Sequence, residues 1–422
     1  MVKSSRISGF YKMSVAERLK IVAEQAGLTD DEVQALSKTG ALSLEAADRM
    51  IENVVGTTEY PLGIACNFLI DGKEYLVPMA LEEPSVVAAA SNMAKVARAK
   101  GGFFTSATEP VMIGQIQITD VSDPYFVKQT ILSHKKEIVE LANKQDPVLV
   151  KFGGGARDVS VRVLDSIVGP MVVVHLMVDC RDAMGANAVN TMVEACKPMI
   201  EELSRGNVIL RIITNLAKFR IARSRAVFDK KALGGKEAVE RIIKVYALAL
   251  ADPYRCSTHN KGIMNGIDAV VVATCNDFRA VEAGAHTYAA MSGEYKPLTK
   301  WEKNKDGDLV GTIELPIAVG IIGGATSVHP VAKVARKILD VKSASELARV
   351  MVSVGLAQNL GALRAIAMEG IQSGHMSLHA RNIAQMAGAT GEMIDKVVEI
   401  IVREKNVRMD RAKEVLDDLR GQ

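Results

Sequence analysis

The chain has 422 residues, 48% of them hydrophobic and 24% charged, a balance that supports packed cores and leaves little room for long disorder, at a length that points to more than one domain. Lys plus Arg number 52 against 49 acidic residues, and aromatics make up 4%, so both the basic excess and the stacking inventory of a nucleic-acid binder are missing. The five cysteines, Cys66, Cys180, Cys196, Cys256 and Cys275, are odd in number and form no CxxC pair; they suggest neither a disulfide framework nor a zinc site and fit a reducing cytoplasm. Met1 to Lys12 is basic without an apolar core, and apolar stretches such as Met171 to Val178 and Ala269 to Ala273 are shorter than the roughly 18 to 20 residues of a spanning helix. No export signal and no membrane embedding are expected.

Taken in chain order, Ser14 to Glu17 and Thr29 to Glu32 have capping-box spacing, which predicts short helices. A third helix is predicted from about Ser43 to Val54, followed by strands from Tyr60 to Pro78 around the turn Asp71-Gly72. Glu82-Glu83-Pro84-Ser85 opens an Ala-rich helix running to Ala99, with Pro84 at its first position and Gly101-Gly102 as its stop. From Glu109 to Leu216 the pattern is a strand (Val111 to Thr119), a helix (Tyr125 to Lys144), two strands (Val159 to Leu164, Met171 to Val178), a helix (Asn187 to Leu203) and a strand (Val208 to Ile213). This β-α-β-β-α-β order predicts a ferredoxin-like insert. Beyond it the pattern predicts a helix from Lys236 to Leu250, a strand from Ile267 to Thr274, a helix from Phe278 to Met291, a hairpin around Asp306-Gly307, and a long helix from Ser343 to Ile371 that stops at Ser373-Gly374.

Several segments have the residue types of a chemical site. Asp182-Ala183-Met184-Gly185-Ala186-Asn187 lies between a predicted strand and a helix, where a helix N-terminus attracts pyrophosphate; an ordinary turn capped by Asp182 or Asn187 has the same signature. No GxGxxG follows a first βαβ strand, so a Rossmann site is not supported. Gly153 to Gly155 and Gly320 to Thr326 read either as ligand-lining loops or as tight turns. Tyr254 to Gly266 concentrates cations and amides before an apolar run, which suits an anionic or carbonyl ligand, the alternative being a solvated loop. Asn276-Asp277 reads as a functional strand end or as a helix cap. His375 and His379 have i, i+4 spacing without the Glu of an HExxH motif, so proton transfer suits them better than a metal.

In this order and spacing, Glu52 to Gly56, Glu82 to Ser85, Asp182 to Asn187, Arg255 to Gly266, Asn276-Asp277, Gly320 to Thr326 and Gly374-His375-Met376 together resemble class II 3-hydroxy-3-methylglutaryl-CoA (HMG-CoA) reductase. The resemblance implies an α+β fold with a large mixed HMG-CoA-binding domain (1–108 and 216–374), a small inserted ferredoxin-like NAD-binding domain (109–215) and a helical C-terminal flap (375–422). It implies the two-hydride interconversion of HMG-CoA and (R)-mevalonate plus CoA, a reaction of isoprenoid metabolism, and an obligate homodimer with its active site at the interface near Glu52 to Gly56, extendable to a trimer of dimers. No metal, nucleic acid or membrane partner is implied.

By the same resemblance the catalytic residues are Glu83, Lys261, Asp277 and His375, and the substrate's carboxylate and carbonyl end meets Ser85, Arg255 and Asn265. Lys261 would hold the oxygen that gains charge on hydride addition, Asp277 would hold and tune Lys261, and Glu83, crowded by Glu82 and Asp277, would keep a proton for mevaldehyde. His375 would protonate the departing CoA thiolate. The dinucleotide would lie on Asp182, Ala183, Met184, Gly185, Ala186, Asn187, Gly323 and Gly324, with Asp146 at the adenosine ribose. A carboxylate there accepts from a 2′-hydroxyl and repels a 2′-phosphate, so NAD(H) is expected over NADP(H). Two features of animal relatives are not expected here: an N-terminal anchor, and phosphorylation control at a serine within His379 to Asn382.

Overall fold

The structure, a computed structural model, describes residues 4–368 and 380–421. Two capping boxes open it. Ser14 and Glu17 exchange bonds at the head of α1 (Val15–Ala26), and Thr29 and Glu32 do so at α2 (Asp30–Ser37), each pair satisfying amides that a helix start leaves free. The third helix, α3, is shorter than its pattern implied: it covers Leu44–Asp48, and residues 54–61 are irregular and mostly exposed.

The strands β1 (Leu62–Ile70) and β2 (Lys73–Ala80) form an antiparallel hairpin through Asp71 and Gly72, whose φ values of 49° and 79° give the doubly left-handed turn that twists with the strands. Helix α4 (Val86–Arg98) follows, and Gly102 donates to the Ala97 carbonyl at 3.0 Å just beyond its end. Pro84 is not the first residue of α4. Ser85 occupies the cap in a left-handed conformation (φ 74°), placing Glu82 to Pro84 in the preceding loop. These strands join β3 (Phe103–Ala107), β8 (Ile221–Phe228), β9 (Thr299–Lys303) and β10 (Leu309–Pro316) in a six-stranded mixed sheet of order β2-β1-β3-β8-β10-β9.

Between β3 and β8 the chain builds a second sheet. Strands β4 (Val111–Thr119), β5 (Gly155–Leu164), β6 (Met171–Asp179) and β7 (Asn207–Ile213) are ordered β5-β6-β4-β7, all antiparallel. This is the ferredoxin-like arrangement. Its first helical stretch divides into α5 (Pro124–Ser133), α6 (Lys135–Asn143) and α7 (Pro147–Lys151), and its second into α8 (Ala186–Ala195) and α9 (Lys197–Ser204), with Pro198 at the start of the latter. Met112, Gly114, Ile116 and Ile118 of β4 face these helices, and Gly114 is required there because a Cβ would meet Val193 and Val189.

The main correction to the sequence reading lies in α12 (Pro253–Ala273), which follows α10 (Lys230–Leu233) and α11 (Lys236–Ala251). The polar stretch Arg255 to Gly266 and the apolar run Ile267 to Ala273 are one helix, capped by Asp252 with Pro253 at its first position. Its second half is apolar except for Asp268 and mostly buried. It lies between β2 and α15 (Ala344–Met368), so the run shows no helical period. Close approach is permitted by glycine: a Cβ on Gly266 would stand 2.9 Å from that of Gln358, and one on Gly355 the same distance from Ile267. Among the described residues α15 alone is long and apolar enough to cross a membrane, a possibility the sequence reading passed over, but 67% of its most apolar window is buried in the fold. The remaining helices are α13 (Phe278–Ala289), α14 (Pro330–Leu339), the helical residues 380–386 (α16), α17 (Glu392–Arg403) and α18 (Met409–Arg420). The last three share a small core of Ala384, Val397, Ile401 and Val415.

Candidate active site

Two polar clusters emerge from this packing. The first forms where the loop before α4 meets the middle of α12. Lys261 and Asn265 are one turn apart and therefore share a face. Both donate to Glu83 Oε2, from Nζ at 2.7 Å and from Nδ2 at 3.0 Å. The Lys261 side chain remains 61% exposed and that of Glu83 35%. A pair this open contributes little to folding, so its effect is to hold the groups in register. Glu83 Oε1 keeps its own acceptor and proton-bearing capacity, since both donors converge on Oε2. Ser85, beside Glu83, is a serine in left-handed backbone that makes no capping bond with its hydroxyl. Such strain costs about 1 kcal/mol or more and leaves the hydroxyl free for another partner.

Arg255, near the start of α12, has its Nε buried with no hydrogen-bond partner, and burial holds its pKa below the usual guanidinium value. A desolvated, unpaired guanidinium donor is the group that a carboxylate ligand would satisfy. Asp277 stands apart from this cluster. Its Oδ1 accepts from the Ala280 amide at 3.1 Å as the cap of α13 and faces Arg279 at 3.6 Å. It makes no bond to Lys261 among the described residues, contrary to the expectation that it holds the lysine, and Oδ2 is left available. The hydrogen bonds of the Glu83 carboxylate among the described residues come from Lys261 and Asn265, not from a group on Asp277. His375 lies outside the described residues.

The second cluster is a cradle made of two loops. Residues Asp182 to Gly185 lie between β6 and α8, whose cap is Gly185 with φ 109°; a Cβ there would run into the Cys180 sulfur. Asp182 and Asn187 therefore do not cap this helix. The Asp182 carboxylate instead accepts from the Ala344 amide at 2.8 Å and caps α15. Its carbonyl accepts from the Ile321 amide at 2.9 Å, joining this loop to Gly320 through Thr326. Arg220, 5% exposed, donates to the Ala183 and Met184 carbonyls at 3.0 Å each and also to Val319, so one guanidinium fixes both loops. Asn276 accepts from the Gly320 amide at 2.8 Å, and Thr326 donates to the Thr274 carbonyl at 2.6 Å. The glycines beyond the contact, Gly323 and Gly324, have left-handed φ of 75° and 57° and open space where a Cβ would be. A helix N-terminus facing an exposed glycine turn fits a dinucleotide pyrophosphate. Asp146 caps α7 with Oδ1, accepting from Leu149 at 2.9 Å.

The structure thus brings Glu83, Lys261 and Asn265 together, and separately Asp182 to Gly185 with Gly320 to Thr326. Arg220 was not legible as a site-building residue, because in the sequence it stands among Lys218, Arg223 and Arg225 like any basic surface stretch. Asn276 was visible as part of a motif, but its hold on Gly320 spans 44 positions.

Known proteins match this arrangement. The hydroxymethylglutaryl-coenzyme A reductase family profile matches residues 14–380. The 3-hydroxy-3-methylglutaryl-coenzyme A reductase of Archaeoglobus fulgidus is 63% identical over 418 residues, covering 99% of this chain and 95% of the relative. A probable reductase of the same name from Borreliella burgdorferi is 38% identical over 349 residues, covering 80% and 78%. The solved reductase of Streptococcus pneumoniae superimposes with a TM-score of 0.84 at 41% identity, covering 98% of this chain and 99% of that one. A second structure from that organism, described as the class II enzyme bound to NADPH in open conformations, gives 0.82 at 40% identity, with 97% and 100% covered. The chain, whose two loops and Glu83-Lys261-Asn265 cluster lie within the matched span, belongs to the hydroxymethylglutaryl-coenzyme A reductase family.

Proposed function

We propose that the chain interconverts HMG-CoA and (R)-mevalonate plus CoA in two hydride transfers, with NAD(H) as the preferred cofactor and through mevaldyl-CoA and mevaldehyde. The observation that carries this reading is the convergence of Lys261 and Asn265 on Glu83 beside the free hydroxyl of Ser85. The bound nicotinamide supplies or accepts the hydride. Lys261, its ammonium exposed to the cleft, holds the substrate oxygen as it gains charge, and Arg255 pairs with the terminal carboxylate. Glu83 delivers a proton from Oε1 while Oε2 stays bonded to the lysine and amide. Asp277 offers Oδ2 to the lysine once substrate is in place. His375 protonates the released CoA thiolate, whose reference pKa of about 8.5 makes the transfer favourable near neutrality, before it attacks the aldehyde again.

Support for NAD(H) comes from Asp146, whose Oδ2 is left to accept ribose hydroxyls while Oδ1 caps α7. A second reading, NADP(H), is favoured by the guanidiniums of Arg157 and Arg181, which gather on the Gly153 carbonyl just beyond α7. Exposed Ile51, Val55 and Tyr60 around Glu52 to Gly56 support a homodimer through that segment, a unit that a trimer of dimers would repeat. All five cysteines are free, four of them buried, which supports a cytoplasmic location. The test is loss of NADH absorbance with HMG-CoA, mevalonate-dependent NADH production with CoA present, and both repeated with NADP(H), alongside sedimentation at assay concentration. Silence in both directions with both cofactors would sink the reductase reading. A higher kcat/KM with NADPH than with NADH would reverse the cofactor preference, and a monomer active at assay concentration would remove the dimer.

A further inference from the structure

The face of α12 that carries Lys261 and Asn265 continues one turn further to Asp268, since i, i+4 and i+7 lie in line. Asp268 Oδ1 is buried with no hydrogen-bond partner among the described residues. Across the helix interface its carboxyl meets that of Glu282 on α13. Glu282 Oε2 in turn bonds His286 Nε2 at 2.5 Å, and His286 Nδ1 bonds the Tyr295 hydroxyl at 2.7 Å. Two carboxylates cannot share such a contact. One protonated carboxyl donating to the other can, and the His286 bond favours charge on Glu282, leaving the proton with Asp268. We propose that Asp268 and Glu282 share one proton in a carboxyl–carboxylate bond that clasps α13 to α12, and that this clasp positions Asp277, the cap of α13, relative to Lys261.

The surroundings fit this assignment. Burial first, and then the Glu282 carboxylate, raise the Asp268 pKa far above the carboxylate range, while His286 lowers that of Glu282. Among the described residues the neighbouring charge that acts on Asp268 is that of Glu282. On α13 itself Arg279 faces Asp277. The folded chain therefore holds a proton that the unfolded chain releases, so the pair lowers stability progressively as pH rises from the ordinary carboxyl range to the raised value. When Asp268 finally ionises, two carboxylates repel across the α12–α13 contact. A displacement of about 1 Å between catalytic groups is enough to cost about 10²-fold in rate.

Asp268 and Glu282 are positioning residues on this view, which rests on the proposed reductase activity for its kinetic consequence only. The experiment uses the full chain with Asp268→Asn, which keeps the shape and donates to Glu282 at every pH, and Glu282→Gln, which donates to Asp268 in return. Melting temperature and kcat for HMG-CoA reduction are followed between about pH 6 and pH 10. Asp268→Asn is expected to raise the melting temperature at neutral pH, to flatten its decline with pH, and to keep kcat within about twofold at pH 7. The alkaline fall of kcat moves to higher pH in both variants, with KM for HMG-CoA moving less. A melting profile in Asp268→Asn that tracks the parent would refute the shared proton. A shifted melting profile with an unmoved alkaline limb would refute positioning. Because melting needs no substrate, failure of the reductase reading shows separately, as a parent chain without activity.

Discussion

Gly320→Ala perturbs the contact between the two loops of the cradle directly. A Cβ at Gly320 would stand 2.6 Å from the Met184 nitrogen, and 3.1 Å from both the Ala183 carbonyl carbon and the Asp182 oxygen. These are backbone atoms pinned by Arg220, so no side chain can swing away. Ordinary contact of about 3.5 Å requires the loops to part by about 0.9 Å. Because the Gly320 backbone lies outside the left-handed region, alanine adds no φ strain, and the whole effect is the forced separation. Overpacking of this size costs about 1–3 kcal/mol. If the dinucleotide binds across both loops, the cost falls on its affinity, about 5- to 150-fold at 1.4 kcal/mol per tenfold. Steady-state KM for cofactor should rise accordingly while KM for HMG-CoA stays within about threefold, with the melting temperature lowered by a few degrees. An unchanged cofactor KM in a variant that has measurably lost stability would show that the cradle does not hold the dinucleotide.

On the proposed mechanism, in which one ammonium serves the oxygen in each step, Lys261→Ala should reduce both HMG-CoA reduction and mevaldehyde reduction by about 10²- to 10³-fold. His375→Gln should largely spare mevaldehyde reduction; equal loss in both assays contradicts its assignment to the thiolate. Glu74 accepts from Arg98 and from the Ser5 amide at 2.9 Å each, and these bonds outweigh burial to hold its pKa at about 2. The depressed value means the pair's stability is present above the unfolded carboxyl range near 4.3 and is lost as pH falls towards 2, at most about 3 kcal/mol. Urea titrations at pH 7 and about pH 3 check this: Glu74→Gln should cost most at pH 7, and an equal loss at both pH values would remove the ion pair as the cause.

Much of the fold was legible because it is written locally. The capping boxes at Ser14 and Thr29, the turn Asp71-Gly72 and the alternation of β4 were all read in place, and each depends on residues within a few positions of one another. Strands β3 and β8 were missed although β8 is central to the large sheet, since runs of five and eight residues carry little period. The run Ile267 to Thr274 reads as a strand because a helix segment buried on nearly every side, with Asp268 as its single charge, lacks the broad polar face that reveals a helical period, and its valines favour the strand reading.

What the sequence by itself determined is therefore the local grammar: caps, turns, the β-α-β-β-α-β order, and the residue types a hydride-transfer site on a thioester needs. Only the tertiary structure decided which of them meet. Lys261 reaches Glu83 across 178 positions, Arg220 ties Ala183 to Val319, and Asp182 caps a helix that begins 162 residues later rather than the one beside it. Those partnerships depend on how α12, α15 and the two sheets pack, and packing is a property of whole surfaces, for which a short window of sequence holds no signal.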